Sequence, residues 1–150
     1  MSVKETANYT ELMPDGKAQI FTFVMEARSV ITKPSGGQKL PSGGGFHEIS
    51  GLAWSGRGKI TRVEVSTNGG ATWVDAELQA PVLSKAATRF RSPWRWDGQE
   101  VIIQSRCTDE TGYLQPTRDE IIAVRGLNSG YHYNGIKSWR VRADGTVTHV

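Results

Sequence analysis

The stretch Gly51-Leu52-Ala53-Trp54-Ser55-Gly56-Arg57-Gly58-Lys59-Ile60-Thr61-Arg62-Val63-Glu64-Val65-Ser66-Thr67-Asn68-Gly69-Gly70-Ala71-Thr72-Trp73 decides the fold. It reads as a strand, a glycine turn, a second strand, a second glycine turn and the opening of a third strand. From Lys59 to Thr67 the side chains alternate, with Val63 and Val65 on one face and Arg62, Glu64 and Ser66 on the other. That period of two marks a half-buried strand. Asn68-Gly69-Gly70 tolerates the positive φ of a tight hairpin. Beyond it, Trp73 and Ala76 would fall on opposite faces of a regular strand, so either a bulge separates them or Trp73 belongs to the turn. The hairpin promises a sheet and carries no chemistry of its own.

Short β-branched and aromatic runs continue in both directions. Upstream stand Gln19–Met25, Ser29–Thr32 and Phe46–Ser50; downstream stand Thr88–Trp96, Val101–Thr108, Ile121–Val124, Ile136–Val141 and Val147–Val150. Pro93-Trp94-Arg95-Trp96 reads as a corner, and Val101–Thr108 as the clearest core strand, with Cys107 on its apolar side. The Gly- and Pro-rich segment 34–45, the connection 80–87 and the polar, aromatic segment 126–135 are loops. No amphipathic helix stands out. The pattern predicts an all-β, antiparallel sandwich in a single domain over residues 19–150, preceded by a polar, loosely attached arm over residues 1–18.

A chain of 150 residues can bury a core without disulfides or metal. Its single cysteine excludes an internal disulfide, and with only His47, His132 and His149 beside it no zinc-type spacing exists. Burial makes Cys107 an inert thiol. The net charge of +3 is that of an ordinary solvated surface and gives no ground for a nucleic-acid partner. No apolar run has the length of a membrane span, and no signal-type core follows Met1.

Catalytic patterns are equally sparse. Ser35-Gly36-Gly37 and Ser42-Gly43-Gly44-Gly45 lack the Gly-Lys-Ser/Thr ending of a phosphate cradle. There is no Gly-x-Ser-x-Gly elbow, and the acids Asp109, Glu110, Asp119 and Glu120 sit beside turns, where acids are common. Ser66–Trp73 has the form of one sialidase-type Asp-box, with Asn68 in the aspartate position, but a propeller needs several copies. Five tryptophans either pack the core or anchor an interface, where Trp and Arg are favoured; Trp54, Arg57, Trp94 and Trp96 are the interface candidates.

Taken together, Ser29–Gly37, Ile49–Gly56, Val63–Trp73 and Asp109–Pro116 resemble the C-terminal dimerisation domain of the sulfite oxidase family of molybdenum enzymes, in order and over nearly the whole chain. Tyr9–Ala18 and Tyr131–Asn134 look most like the molybdenum subunit of bacterial sulfane dehydrogenase, the SoxC type. The resemblance implies an immunoglobulin-like (E-set) β-sandwich that forms a homodimer and completes the active site of a molybdopterin-dependent sulfite or sulfane oxidoreductase, one of thiosulfate oxidation. The molybdopterin would belong to an N-terminal domain in cis, with no cofactor, no metal and no catalytic residue in this chain, which alone would not turn over. A cytochrome c subunit and a periplasmic setting would go with the parent enzyme, and neither nucleic acid nor a membrane would be a partner. In sulfite oxidases an arginine followed by glycine, in the loop before the last strand, reaches toward the anionic substrate. Here Asn134-Gly135 stands there, so Tyr131, His132, Tyr133, Asn134 and Gly135 form the substrate-facing loop with the charge lost, which fits protein-bound sulfane sulfur better than sulfite. The alternative reading is a free-standing Ig-like module that binds carbohydrate or protein.

Overall fold

The computed structural model describes residues 10–12, 18–21, 24–127 and 132–150. Its strands are β1 (Thr10–Leu12), β2 (Ala18–Phe21), β3 (Arg28–Lys33), β4 (Gly45–Trp54), β5 (Ile60–Ser66), β6 (Val74–Asp75), β7 (Glu77–Leu78), β8 (Thr88–Trp96), β9 (Val101–Asp109), β10 (Ser138–Val141) and β11 (Val147–His149). One helix, α1 (Arg118–Arg125), lies between β9 and β10. β1 and β2 pair antiparallel as a separate two-stranded sheet. The strand expected over Gln19–Met25 is β2, which ends at Phe21; Val24 and Met25 lie outside it.

Two antiparallel sheets make the sandwich, one in the order β3-β4-β8-β7 and the other β11-β10-β9-β5-β6. These match the A-B-E-D and C′-C-F-G order of an immunoglobulin-like fold, with β11 added to one edge. The inner faces meet in one core that includes Ile31, Ile49, Ala53, Phe90, Ile60, Val63, Ile103 and Cys107. β8 shows why the chain folds this way. Every second residue from Thr88 to Trp96 is buried and every residue between is exposed, so one parity supplies core and the other faces water. The expected corner at Pro93 is absent. β7 pairs with β8 only at Arg91 and Phe90, leaving Pro93 on an open edge where a missing N–H costs no ladder bond.

Phe46–Ser50 and Gly51–Trp54 prove to be one strand, β4, paired with β8 along its length. Gly51 is what permits it. A Cβ there would strike the Val30 carbonyl oxygen and lie 2.5 Å from the Phe90 ring, the cross-strand neighbour of Gly51. The hairpin after β5 closes on its own side chains. Asn68 Oδ1 accepts from Thr72 N at 2.9 Å, Asn68 Nδ2 donates to Thr72 Oγ1 at 2.8 Å, and Gly70 N donates to Ser66 Oγ at 2.8 Å. Trp73 therefore belongs to the turn, and β6 starts after it.

Two further expectations fail. Glu64 and Ser66, assigned to the solvent face of β5, are 5% and 1% exposed. Arg106 on β9 reaches across and covers Glu64 with a bidentate contact at 2.8 and 3.1 Å, while its guanidinium lies 4.3 Å from the Trp73 ring centroid. The run Ile121–Val124, expected as a strand, is helical. Thr117 and Glu120 form a reciprocal capping box, Asp119 and Glu120 occupy the first turn and Arg125 the last, all favourable to the helix dipole.

Candidate functional site

The loops at one end of the sandwich converge on Glu26, just before β3. β9 ends there in a turn built on Asp109, which is 1% exposed. Its Oδ1 accepts from Thr111 N at 3.0 Å, Thr111 Oγ1 at 2.5 Å and Tyr113 N at 3.3 Å, and its Oδ2 from Ser55 Oγ at 2.7 Å. Burial pushes the carboxyl upward, but these donors outweigh it and hold its pKa below the usual value.

Gln115 follows, fully buried, and ties the loop to the opposite sheet. Its Oε1 accepts from Ser29 N and Ser29 Oγ, both at 2.8 Å, and Ser29 Oγ meets Ser105 Oγ at 2.9 Å. Cys107 lies beside this staple and donates to Gln115 Oε1 at 3.7 Å. Burial, with the charge of Asp109 adding to it, pushes the Cys107 thiol up to about 12.

With the loop so fixed, α1 brings Arg125 back to Glu26, whose carboxylate pairs with it and with Arg57 at 3.5 Å. Tyr113 hydroxyl donates to Glu26 Oε2 at 3.3 Å and accepts from Asn134 Nδ2 at 3.1 Å, and Asn134 Nδ2 also donates to Ala27 O at 3.2 Å. Arg57 lies 5.9 Å from the Tyr113 ring centroid. Burial first, then the Glu26 charge, raises the Tyr113 phenol above its ordinary pKa despite the Asn134 hydrogen bond and Arg125. The cluster joins the entry to β3, the β4–β5 loop, the loop after β9, α1 and the segment before β10. It contains a paired acid, a neutral phenol and an amide. Its chemistry is that of a clamp, and it presents no activated nucleophile.

The residues expected to face substrate are distributed unevenly. Tyr131 lies outside the described residues. His132 is half-buried with φ of 50°. Tyr133 carries the Lys137 ammonium 4.5 Å from its ring centroid and lines, with Trp73, Arg106, Arg118 and Ser138, a cleft of about 460 Å³ on the outer side of the five-stranded sheet. Asn134 is 2% exposed and turned inward to the clamp. Gly135 is buried too, and a Cβ on it would lie 2.6 Å from the Tyr133 hydroxyl.

Among the interface candidates, Trp94 and Trp96 are 8% and 2% exposed and belong to the core, stacked at a tilt with centroids 6.1 Å apart. Their positions on β8 have the parity of Thr88 and Phe90, which already carried that information. Trp54 is half-buried on the outer face of the four-stranded sheet, 5.8 Å from the Arg28 guanidinium. Arg57 is exposed and held by Glu26. Sequence reading missed Glu26, Tyr113 and Arg125 as a group. They are separated by up to 99 residues and no local pattern links them. The capping box at Thr117 and Glu120 was the available signal that the chain turns back there.

The architecture, an Ig-like sandwich whose loop cluster is built to be rigid, defines a scaffolding module. Residues 19–138 match the family model of the Mo-co oxidoreductase dimerisation domain, and the chain belongs to that family. It is 38% identical over 122 residues to human mitochondrial sulfite oxidase, covering 72% of this chain and 21% of that protein. It is 38% identical over 77 residues to NADH nitrate reductase 1 of Oryza sativa subsp. japonica, covering 48% of this chain and 8% of that one. The crystal structure of the sulfane dehydrogenase SoxCD from Paracoccus pantotrophus superimposes with a TM-score of 0.93 and 54% identity, over 99% of this chain and 38% of the other. The chain thus spans about 21% of the length of the human sulfite oxidase that it matches.

Proposed function

We propose that this chain is the dimerisation and active-site-completing domain of a molybdopterin-dependent oxidoreductase acting on sulfite or sulfane sulfur, and that it is not catalytic by itself. The observation that carries the reading is the 54% identity to sulfane dehydrogenase over 99% of the chain, at a TM-score of 0.93. A homodimer through this domain, a molybdopterin domain in cis and a cytochrome c subunit as electron acceptor complete the assembly. Trp54 and Arg57, on the half-buried and exposed surface, are the interface residues of this reading.

The cofactor would supply the two-electron sink for sulfur oxidation, and among the described residues the cysteine does not suit it as a ligand. Cys107 is 1% exposed with its thiol pushed up to about 12, the opposite of a thiolate ligand. Among the described residues no group of three or more His, Cys, Asp or Glu could hold a metal. The chain's own contribution is positional. The Glu26 clamp fixes the segment before β3 against the segment carrying Tyr133, Asn134 and Gly135, so that a neighbouring domain meets a preformed surface. Trp94 and Trp96, 8% and 2% exposed, offer no open indole face to a sugar, which disfavours the carbohydrate-binding alternative. Elemental analysis of the chain, purified from cells that make the cofactor, tests the reading. Molybdenum far below one atom per chain supports it; stoichiometric metal overturns the non-catalytic part.

A further inference from the structure

Arg89, Arg91 and Arg95 project from one side of β8 and are exposed, together with Pro93 between them. Their cross-strand neighbours on β4 are Leu52, Ser50 and Phe46. On the adjoining β3–β4 pair, Arg28 stands opposite Trp54. Among the described residues, the outer face of the four-stranded sheet therefore sets four arginines and Lys33, which stands opposite Ser50, against two acids, Glu48 and Glu77. Among the described residues, the acid of this face that pairs with one of its cations is Glu77, meeting Arg91 at 3.4 Å with both side chains well exposed, an arrangement of small energetic weight.

The aromatic residues sharpen the pattern. Phe46 is 83% exposed, and the Arg95 guanidinium lies 5.5 Å from its ring centroid. An exposed phenylalanine beside an arginine, at the end of a row of further arginines, has the composition of a protein-binding hot spot, where desolvated aromatic area lies beside charge-assisted contacts. Four of the five cations are arginines, whose planar forks bind carboxylates in pairs. A second copy laid row on row against the β8 arginines would bring the same excess of positive charge and meet repulsion.

We propose that the outer face of the four-stranded sheet, through the β8 row of Arg89, Arg91 and Arg95 with Phe46 at its Arg95 end, docks an acidic protein surface, and that this contact leaves to the two-fold interface the β3 edge of the same face, where Trp54 stands. The partner offers clustered Asp or Glu side chains and an apolar edge for Phe46.

Poly-L-glutamate serves as the probe, titrated against the 150-residue chain at several salt concentrations, with sedimentation of every variant in parallel. The double reversal Arg89→Glu with Arg95→Glu lowers affinity by about tenfold or more and flattens its salt dependence. The control Lys59→Glu with Arg142→Glu makes the same change of net charge elsewhere and lowers affinity by less than about threefold. The pair Arg89→Gln with Arg95→Gln, checked for native circular dichroism, gives the loss without introducing new acids. Equal losses in the reversal and the control, or no binding by the unaltered chain at low salt, overturn the proposal. Tighter binding of a short single-stranded DNA through the same arginines overturns the choice of carboxylates. A change in dimerisation caused by the Arg-to-Gln pair assigns the face to the second copy instead.

Discussion

Asp109 is the residue on which the loop end of the sandwich turns, because one buried carboxylate satisfies two hydroxyls and two backbone N–H groups. Asp109→Ala strands those donors and lowers stability at neutral pH by about 3 kcal/mol. Its folded pKa lies below the ordinary carboxylate value, so its contribution is complete above that value and is lost as pH falls through the folded pKa. Urea titrations of the two proteins therefore differ most at neutral pH and converge in acid; a gap that widens in acid contradicts the assignment. Cys107, two residues earlier, was legible in the sequence as a core thiol because it shares parity with Val101, Ile103 and Ser105. With its pKa pushed up to about 12, it resists a disulfide reagent in the native protein and reacts once denatured. Rapid native labelling would show that the β9 side chain is accessible.

At the scale of elements, α1 was hidden because four consecutive apolar residues, Ile121–Val124, satisfy a buried strand as well as a helix. The cap decides between them, since Thr117 Oγ1 takes the Glu120 N–H at 3.3 Å and Glu120 Oε2 accepts from Thr117 N at 2.7 Å. Thr117→Ala costs about 1 kcal/mol, and amide exchange quickens first within Arg118–Arg125. Uniform quickening across both sheets would mean that the helix does not open by itself. β8 and β9 were readable because alternation and burial coincide along them. The polar face of β5 was not, because Glu64 is covered by Arg106, which lies 42 positions along the chain. A strand's periodicity reports which faces differ and is silent about a long side chain arriving from its neighbour.

At the scale of the molecule, the hairpin from Gly51 to Trp73 and the regular spacing of strands were enough to specify an antiparallel β-sandwich, and the family resemblance supplied its immunoglobulin-like form. They were not enough to find the clamp at Glu26, whose members come from five separate segments. Trp94 and Trp96 show the same limit from the other side, since composition marks tryptophans as interface anchors and only strand parity places them inside. The surfaces left to a partner are the outer sheet faces and the loop end, with Trp54 and Arg57 between them. The central claim, that this domain joins two copies of its parent, is tested most directly by sedimentation equilibrium of the chain over a wide concentration range. A reversible monomer–dimer equilibrium with a mass approaching twice 16.5 kDa is the predicted result. A single 16.5 kDa species at the highest concentration would contradict it.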